Sequence, residues 1–131
     1  NAIQQDKDID IVRMDVEGHE VEILNGMLED IKKELIKPMI IFEPHSTRYS
    51  KKHDLEPPLR ELFSLGYKTR YISSSNSFKA KDIIENKGYK SIKLVKTDGV
   101  TRAIFENINN SDVIDILCKS GGARTVLLKP L

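Results

Sequence analysis

The sequence predicts an α/β fold with a mostly parallel open sheet, and three observations carry that prediction. Two short apolar runs rich in β-branched residues, Ile9–Val16 and Pro38–Glu43, read as strands. Between them Val21, Leu24, Leu28, Ile31 and Leu35 recur every three or four residues, which lines one face of a helix of about five turns. A strand, a helical crossover and a second strand place two parallel strands side by side with their C-terminal ends on one edge. That edge is where open α/β sheets carry their ligands.

The first strand ends at acidic residues and Gly18, as a strand leading into a helix should. Glu20 and Glu22 fall in the first turn of that helix and Lys32 and Lys33 near its end, which matches the helix dipole at both termini. The second run is nearly all apolar, the signature of a strand covered on both faces. Pro57 and Pro58 open a helix whose apolar positions Leu59, Leu62 and Phe63 precede a stop at Gly66. Tyr67–Ile72 reads as a third strand, Ser73–Ser77 as a polar loop and Lys79–Asn86 as a short helix. Ile92–Phe105, broken at Asp98-Gly99, reads as a β-hairpin. Ser111 caps a helix over Val113–Lys119, Gly121-Gly122 breaks it, and Thr125–Leu128 supplies a last strand. No internal repeat is present.

With 131 residues, 39% hydrophobic and 31% charged, the chain can bury one core, so residues 1–131 read as a single domain. Basic and acidic residues nearly balance at 21 and 20, and no long polar or Gly/Pro-rich tract occurs, which excludes intrinsic disorder and a collagen-like class. No apolar run approaches the ~18 residues of a membrane helix, and the first residues lack the regions of a signal peptide, so a soluble cytoplasmic protein is expected. Cys118 stands alone, which rules out an internal disulfide and leaves core packing as its role. Charge is uneven: residues 1–45 hold 5 basic and 11 acidic side chains, residues 46–96 hold 12 and 5, and residues 97–131 hold 4 and 4. The basic middle has no aromatic interleave and reads as a solvated face, so no nucleic-acid partner is expected.

Chemistry concentrates at two strand ends. Asp15-Val16-Glu17-Gly18-His19-Glu20 crowds ionisable groups at a strand-to-helix junction, and Glu43-Pro44-His45 closes the second strand. An acidic helix start explains part of the first cluster. With the strands as parallel neighbours, Asp15, Glu17, Glu43 and His45 converge on one edge and can act as general base, metal ligands or substrate anchors. The residue four after His19 is Ile23, so no metalloprotease helix is present. The chain also lacks Gly-x-Gly-x-x-Gly, a Walker loop, a Gly-x-Ser-x-Gly elbow and Cys-x-x-Cys. His53, beside Lys51 and Lys52, reads as a solvated surface residue.

The run Arg13-Met14-Asp15-Val16-Glu17-Gly18-His19-Glu20, followed by Val21-Glu22-Ile23-Leu24-Asn25-Gly26 and by Pro38-Met39-Ile40-Ile41-Phe42-Glu43-Pro44-His45, resembles the FkbM family of S-adenosylmethionine-dependent methyltransferases. The Asp-Val-Glu-Gly-x-Glu motif carries the resemblance, which is strongest over residues 9–45 and fades beyond Gly66. It implies a partial doubly wound, Rossmann-like and mostly parallel sheet, of which this chain is the C-terminal half only, with a β-hairpin insertion and an antiparallel last strand. The Gly-rich loop and the acidic residue that hold the cofactor's methionine part and ribose would belong to the other half. By the same resemblance Asp15 and Val16 lie on the methyl-donor side, and Glu17, His19, Glu43 and His45 face the acceptor pocket.

The implied reaction is an in-line attack by a hydroxyl oxygen of a small molecule or sugar on the methyl group of S-adenosylmethionine, so alignment matters most. A hydroxyl is protonated near pH 7, so a base helps, and His45 or Glu43 suits that role with Asp15 and Glu17 positioning. No metal ligand is assigned, although a divalent cation between Asp15 and Glu43 stays open because hard oxygens suit magnesium. Half a domain is expected to be inactive alone. The first strand would then be an exposed apolar edge, and self-association through Ile9–Val16 is expected, with no membrane partner. A stand-alone α/β binding module and a metal-dependent hydrolase are the competing readings.

Overall fold

Residues 10–45, 48–75, 79–97 and 99–131 are described by a computed structural model, and Ile9, Asn76, Ser77 and Asp98 of the expected elements lie outside them. Six strands and four helices alternate: β1 (Ile11–Met14), α1 (Glu20–Lys32), β2 (Met39–Phe42), α2 (Glu56–Ser64), β3 (Lys68–Ser74), α3 (Ala80–Glu85), β4 (Lys93–Thr97), β5 (Val100–Glu106), α4 (Asn110–Asp115) and β6 (Ala123–Lys129). A π-helical turn, Ile116–Ser120, extends α4. The α/β class expected from the sequence is present.

The strands form one open sheet in the order β1-β2-β6-β3-β5-β4. This corrects the expectation of a mostly parallel, doubly wound sheet: β1 and β2 pair parallel, whereas β2–β6, β6–β3, β3–β5 and β5–β4 are antiparallel. The reason is topological. The helical crossovers after β1, β2, β3 and β5 each join strands of the same direction, as such crossovers require. Only the first joins neighbours; the others skip one position, and the skipped place is filled by a strand of opposite direction. The hairpin β4–β5 and the antiparallel last strand β6 occur as expected.

Burial alternates along β2 and β6 and is one-sided. Ile40 and Phe42 of β2, Val126 and Leu128 of β6, Ile72 of β3 and Phe105 of β5 are buried, and they pack with Leu24, Leu28, Leu59, Leu62 and Val113 of the helices. Their neighbours Ile41, Leu127, Tyr71 and Ile104 remain partly exposed on the other face. The expectation that β2 is covered on both faces is therefore corrected, because the described helices contact one another in a single layer: α1 on α2, α2 on α4 and α3 on the π turn.

Helix boundaries follow local chemistry. Helix α1 is shorter than the apolar spacing suggested, since Glu34 takes φ +58 and Leu35 is 62% exposed beyond the helix end. Pro57 and Pro58 occupy the first positions of α2, where a missing N–H costs nothing. Asn109, rather than Ser111, caps α4: its side chain accepts the Asp112 N–H at 2.9 Å. Ser73 and Ser74 belong to β3, not to a loop, and the Ser74 hydroxyl accepts the Ala103 N–H at 2.9 Å. Cys118 is partly buried, and burial pushes its thiol up to about 12. Tyr67 is buried and donates to the Pro38 carbonyl at 2.7 Å, tying β3 to the start of β2.

The two faces make opposite predictions for adjacent residues of β6. Leu128→Ala empties a fully buried site and is expected to cost about 2–5 kcal/mol of unfolding free energy, whereas Leu127→Ala on the open face costs roughly 1 or less. Urea titrations of both variants check this; equal losses would mean that both faces are packed.

Candidate active site at the paired ends of strands 1 and 2

The register of β1 and β2 sets Met14 against Phe42, so the chain leaves both strands at the same level. Asp15 and Glu43 are the next residues. One ligand-type atom from each of Asp15, Glu43 and His45 lies within 4.8 Å of the others, which is the convergence that the parallel pairing implied. Glu17 and His19 are not part of this group. Both are exposed, Glu17 sits at φ +49 in the turn, and His19 caps α1 without a side-chain hydrogen bond. Half-buried Val16 closes the turn, its carbonyl accepting the His19 N–H at 3.2 Å.

Gly18 makes the turn possible. Its φ of +104 favours glycine, and an added Cβ would lie 3.0 Å from Arg48 Cβ. The close approach comes from the loop after β2, which folds back over the turn. His53 holds it there: Nε2 bonds the Gly18 carbonyl and Nδ1 lies 2.6 Å from Glu22 Oε1. The reading of His53 as solvated is thus corrected, since its side chain is only 22% exposed and straps the loop to the start of α1.

Glu20 is the residue that sequence reasoning missed as a site component. It is fully buried, and its Oε1 lies 2.7 Å from His45 Nδ1 and accepts the Tyr49 hydroxyl at 3.0 Å. The Tyr49 oxygen in turn accepts the His45 backbone N–H at 2.9 Å, and burial raises the Tyr49 pKa well above its ordinary value. With Nδ1 facing a carboxylate oxygen, that nitrogen is the donor of the pair. Glu20 Oε2 is buried with no hydrogen-bond partner among the described residues. A signal was available: Glu20 lies four residues before Leu24 and eight before Leu28, on the apolar stripe of α1.

Glu43 faces Arg124 of β6 at 3.2 Å. Two hard carboxylate oxygens and an imidazole nitrogen are a chemically sensible set for a divalent cation. The Arg124 guanidinium already supplies positive charge to Glu43, however, and the site is assigned no metal. What remains is an imidazole held by a buried carboxylate, beside two carboxylates at a strand edge.

Glu20→Ala leaves both His45 Nδ1 and the Tyr49 hydroxyl without their acceptor and is expected to lower stability by about 2–3 kcal/mol. Tyr49→Phe, which removes one donor, costs about 1. Chemical denaturation reads both, and an unchanged Glu20→Ala midpoint would show that the buried carboxylate holds nothing in place.

A family model described as Methyltransferase FkbM domain matches residues 1–69, just over half of the chain. The match takes in Asp15, Glu20, Glu43 and His45 and ends inside β3, before Arg124. No curated protein and no solved structure gives a significant match.

Proposed function

The chain belongs to the methyltransferase FkbM family, and from that premise we propose that it forms the acceptor side of an S-adenosylmethionine-dependent O-methyltransferase, with His45 as the base. The observation that carries this reading is the hydrogen bond of His45 Nδ1 to buried Glu20, in an imidazole that stands with Asp15 and Glu43 at the strand edge. The strand order supports it as well, because β6 lies antiparallel between the like-directed β2 and β3, the place for an antiparallel last strand in a half of a Rossmann-like sheet.

The residues present fit one end of the cofactor. Asp15 and Glu43 are carboxylates at the strand edge, suited to a positively charged sulfonium, while the 131 residues hold no Gly-rich loop for the nucleotide end. Bound S-adenosylmethionine supplies an electrophilic methyl group. The chain's own part is to orient the acceptor hydroxyl and take its proton. His45 Nε2 accepts that proton, and Glu20, already bonded to Nδ1–H, stabilises the resulting imidazolium. Arg124 holds Glu43 in place against the strand edge, and Asp15 and Val16 border the methyl-donor side. Glu17 and His19 sit at the exposed mouth of the turn, where they can meet the acceptor as it enters.

In a complete methyltransferase domain that includes this chain, His45→Gln is expected to lower turnover about 10²–10⁴-fold with little change in the KM for the acceptor. Methyl transfer from labelled S-adenosylmethionine measures it. Retention of turnover within threefold would remove His45 as the base. The 131-residue chain alone is expected to show no turnover.

The proposed partners are a hydroxyl-bearing small molecule and a second copy of the chain. Among the described residues strand β1 ends the sheet, with β2 as its neighbour, and Ile11 is 53% exposed on it. Sedimentation velocity is expected to show self-association that weakens in Ile11→Lys, and a strictly monomeric chain at high concentration would sink the edge-pairing idea.

A further inference from the structure

The site is assembled from two segments that strand pairing alone does not tie together. Asp15 and Glu20 belong to the turn and helix start after β1, whereas His45 and Tyr49 belong to the loop after β2. The parallel register fixes these segments only as far as Met14 and Phe42. Beyond that point the separation of His45 from Glu20 depends on what holds the loop to the turn. An imidazole and a carboxylate 2.7 Å apart lose their hydrogen bond when one of them withdraws by ~1 Å.

The loop closes on itself at two places. The Arg48 N–H donates to the His45 carbonyl at 2.8 Å, and Ser50 and His53 exchange two backbone hydrogen bonds, each 3.0 Å, around Lys51 and Lys52. One anchor therefore serves both His45 and Tyr49. That anchor is the His53 ring: Nε2 meets the Gly18 carbonyl and Nδ1 lies 2.6 Å from Glu22 Oε1. Gly18 stands between Asp15 and Glu20 in the chain, and Glu22 follows two residues later, so the ring grips the segment that carries the other half of the site. Both partners are acceptors, and a ring with a proton on each nitrogen satisfies both. The exposed His19 stands 4.0 Å from the other oxygen of Glu22 and leaves Oε1 to His53.

The effect of this anchor reaches the site through Tyr49. Its ring lies against that of His53, with centroids 6.0 Å apart, while its hydroxyl donates to Glu20 Oε1 at 3.0 Å and accepts the His45 backbone N–H at 2.9 Å. We infer that His53, with Glu22, is a positioning residue for His45: it fixes the loop after β2 on the turn after β1 and so keeps the His45 ring on Glu20. It acts through the loop and not by contact with the acceptor. This deepens the methyl-transfer reading, and its consequence for turnover rests on that reading, whereas the placement of the ring does not.

The first test uses the 131-residue chain, which needs no cofactor for it. Nitrogen-edited NMR follows exchange of the His45 Nδ1 proton beside the amide protons of Leu24, Ile40 and Leu128 in the core. His53→Ala is expected to speed exchange of the His45 proton at least tenfold and to leave the core amides within twofold. His53→Gln puts an amide where Nε2 stood and keeps the Gly18 contact, and His53→Asn does the same for Nδ1 and Glu22, so each is expected to restore part of the protection. Glu22→Ala, an exposed change that leaves the Gly18 contact, is expected to give a smaller effect of the same kind. In a complete methyltransferase domain His53→Ala is expected to lower kcat about 10–10²-fold with the acceptor KM within twofold, as a ~1 Å misplacement of a reacting group does. An unchanged His45 proton in His53→Ala, equal acceleration at the core amides, no restoration by either amide, or a raised KM at unchanged kcat would each overturn the inference. Faster exchange of the His45 proton with turnover intact would keep the strap and count against His45 as the base.

Discussion

The register that sets Met14 against Phe42 decides what this protein can do. Parallel strands joined by one helical crossover end at the same level, so the residues that follow them are delivered side by side. Here those residues are Asp15 on one strand and Glu43 with His45 on the other. A shift of one residue would turn the side chains of β2 to the opposite face, taking Ile40 and Phe42 out of the core together with Glu43 out of the site. Packing and chemistry therefore share a single constraint, and the buried pair Ile40 and Phe42 enforces both.

Around that edge the fold supplies two kinds of support. From below, Glu20 reaches out of the apolar stripe of α1 to hold His45 and Tyr49, placing a carboxylate where Leu or Ile would otherwise pack. A buried carboxylate is costly unless it is hydrogen-bonded, and two donors meet one of its oxygens. From above, the loop that carries Tyr49 and His53 is strapped to the Gly18 turn, and the Tyr49 hydroxyl accepts the His45 backbone N–H.

The one-sided core gives the sheet its second property. Antiparallel sheets tolerate one uncovered face, and four of the five strand pairings here are antiparallel. The uncovered face is nonetheless apolar along Ile41, Leu127, Tyr71 and Ile104, with Ser73 and Thr125 beside them and Arg124, Arg102 and Lys93 around them. It is continuous with Glu43 through Arg124. Core and uncovered face are thus two sides of the same strands, one closed by helices and the other open among the described residues.

Much of this was legible in the residues. The β-branched runs, the spacing of Val21 to Ile31, the prolines before α2 and the double glycine before β6 punctuate the chain where the elements begin and end. The first crossover is short enough to force β1 and β2 into parallel contact, so the meeting of Asp15, Glu43 and His45 was also written in the sequence. The direction of the later strands was determined as well, since each helical crossover returns the chain the same way. Which strand sits beside which was not. Adjacency of β6 to β2 and β3 depends on contacts between residues 49 or more positions apart, and only the assembled core selects them. The same holds for Glu20, which reads in the sequence as a first-turn acid matching the helix dipole and meets His45 and Tyr49 only in the fold, and for His53, which meets its partners only when the loop folds over Gly18. Local pattern determined the elements and the first pair of site residues, because their physics acts over a few positions. Tertiary packing decided the sheet order, the buried partner of the base and the open face, because those depend on which distant surfaces exclude water together.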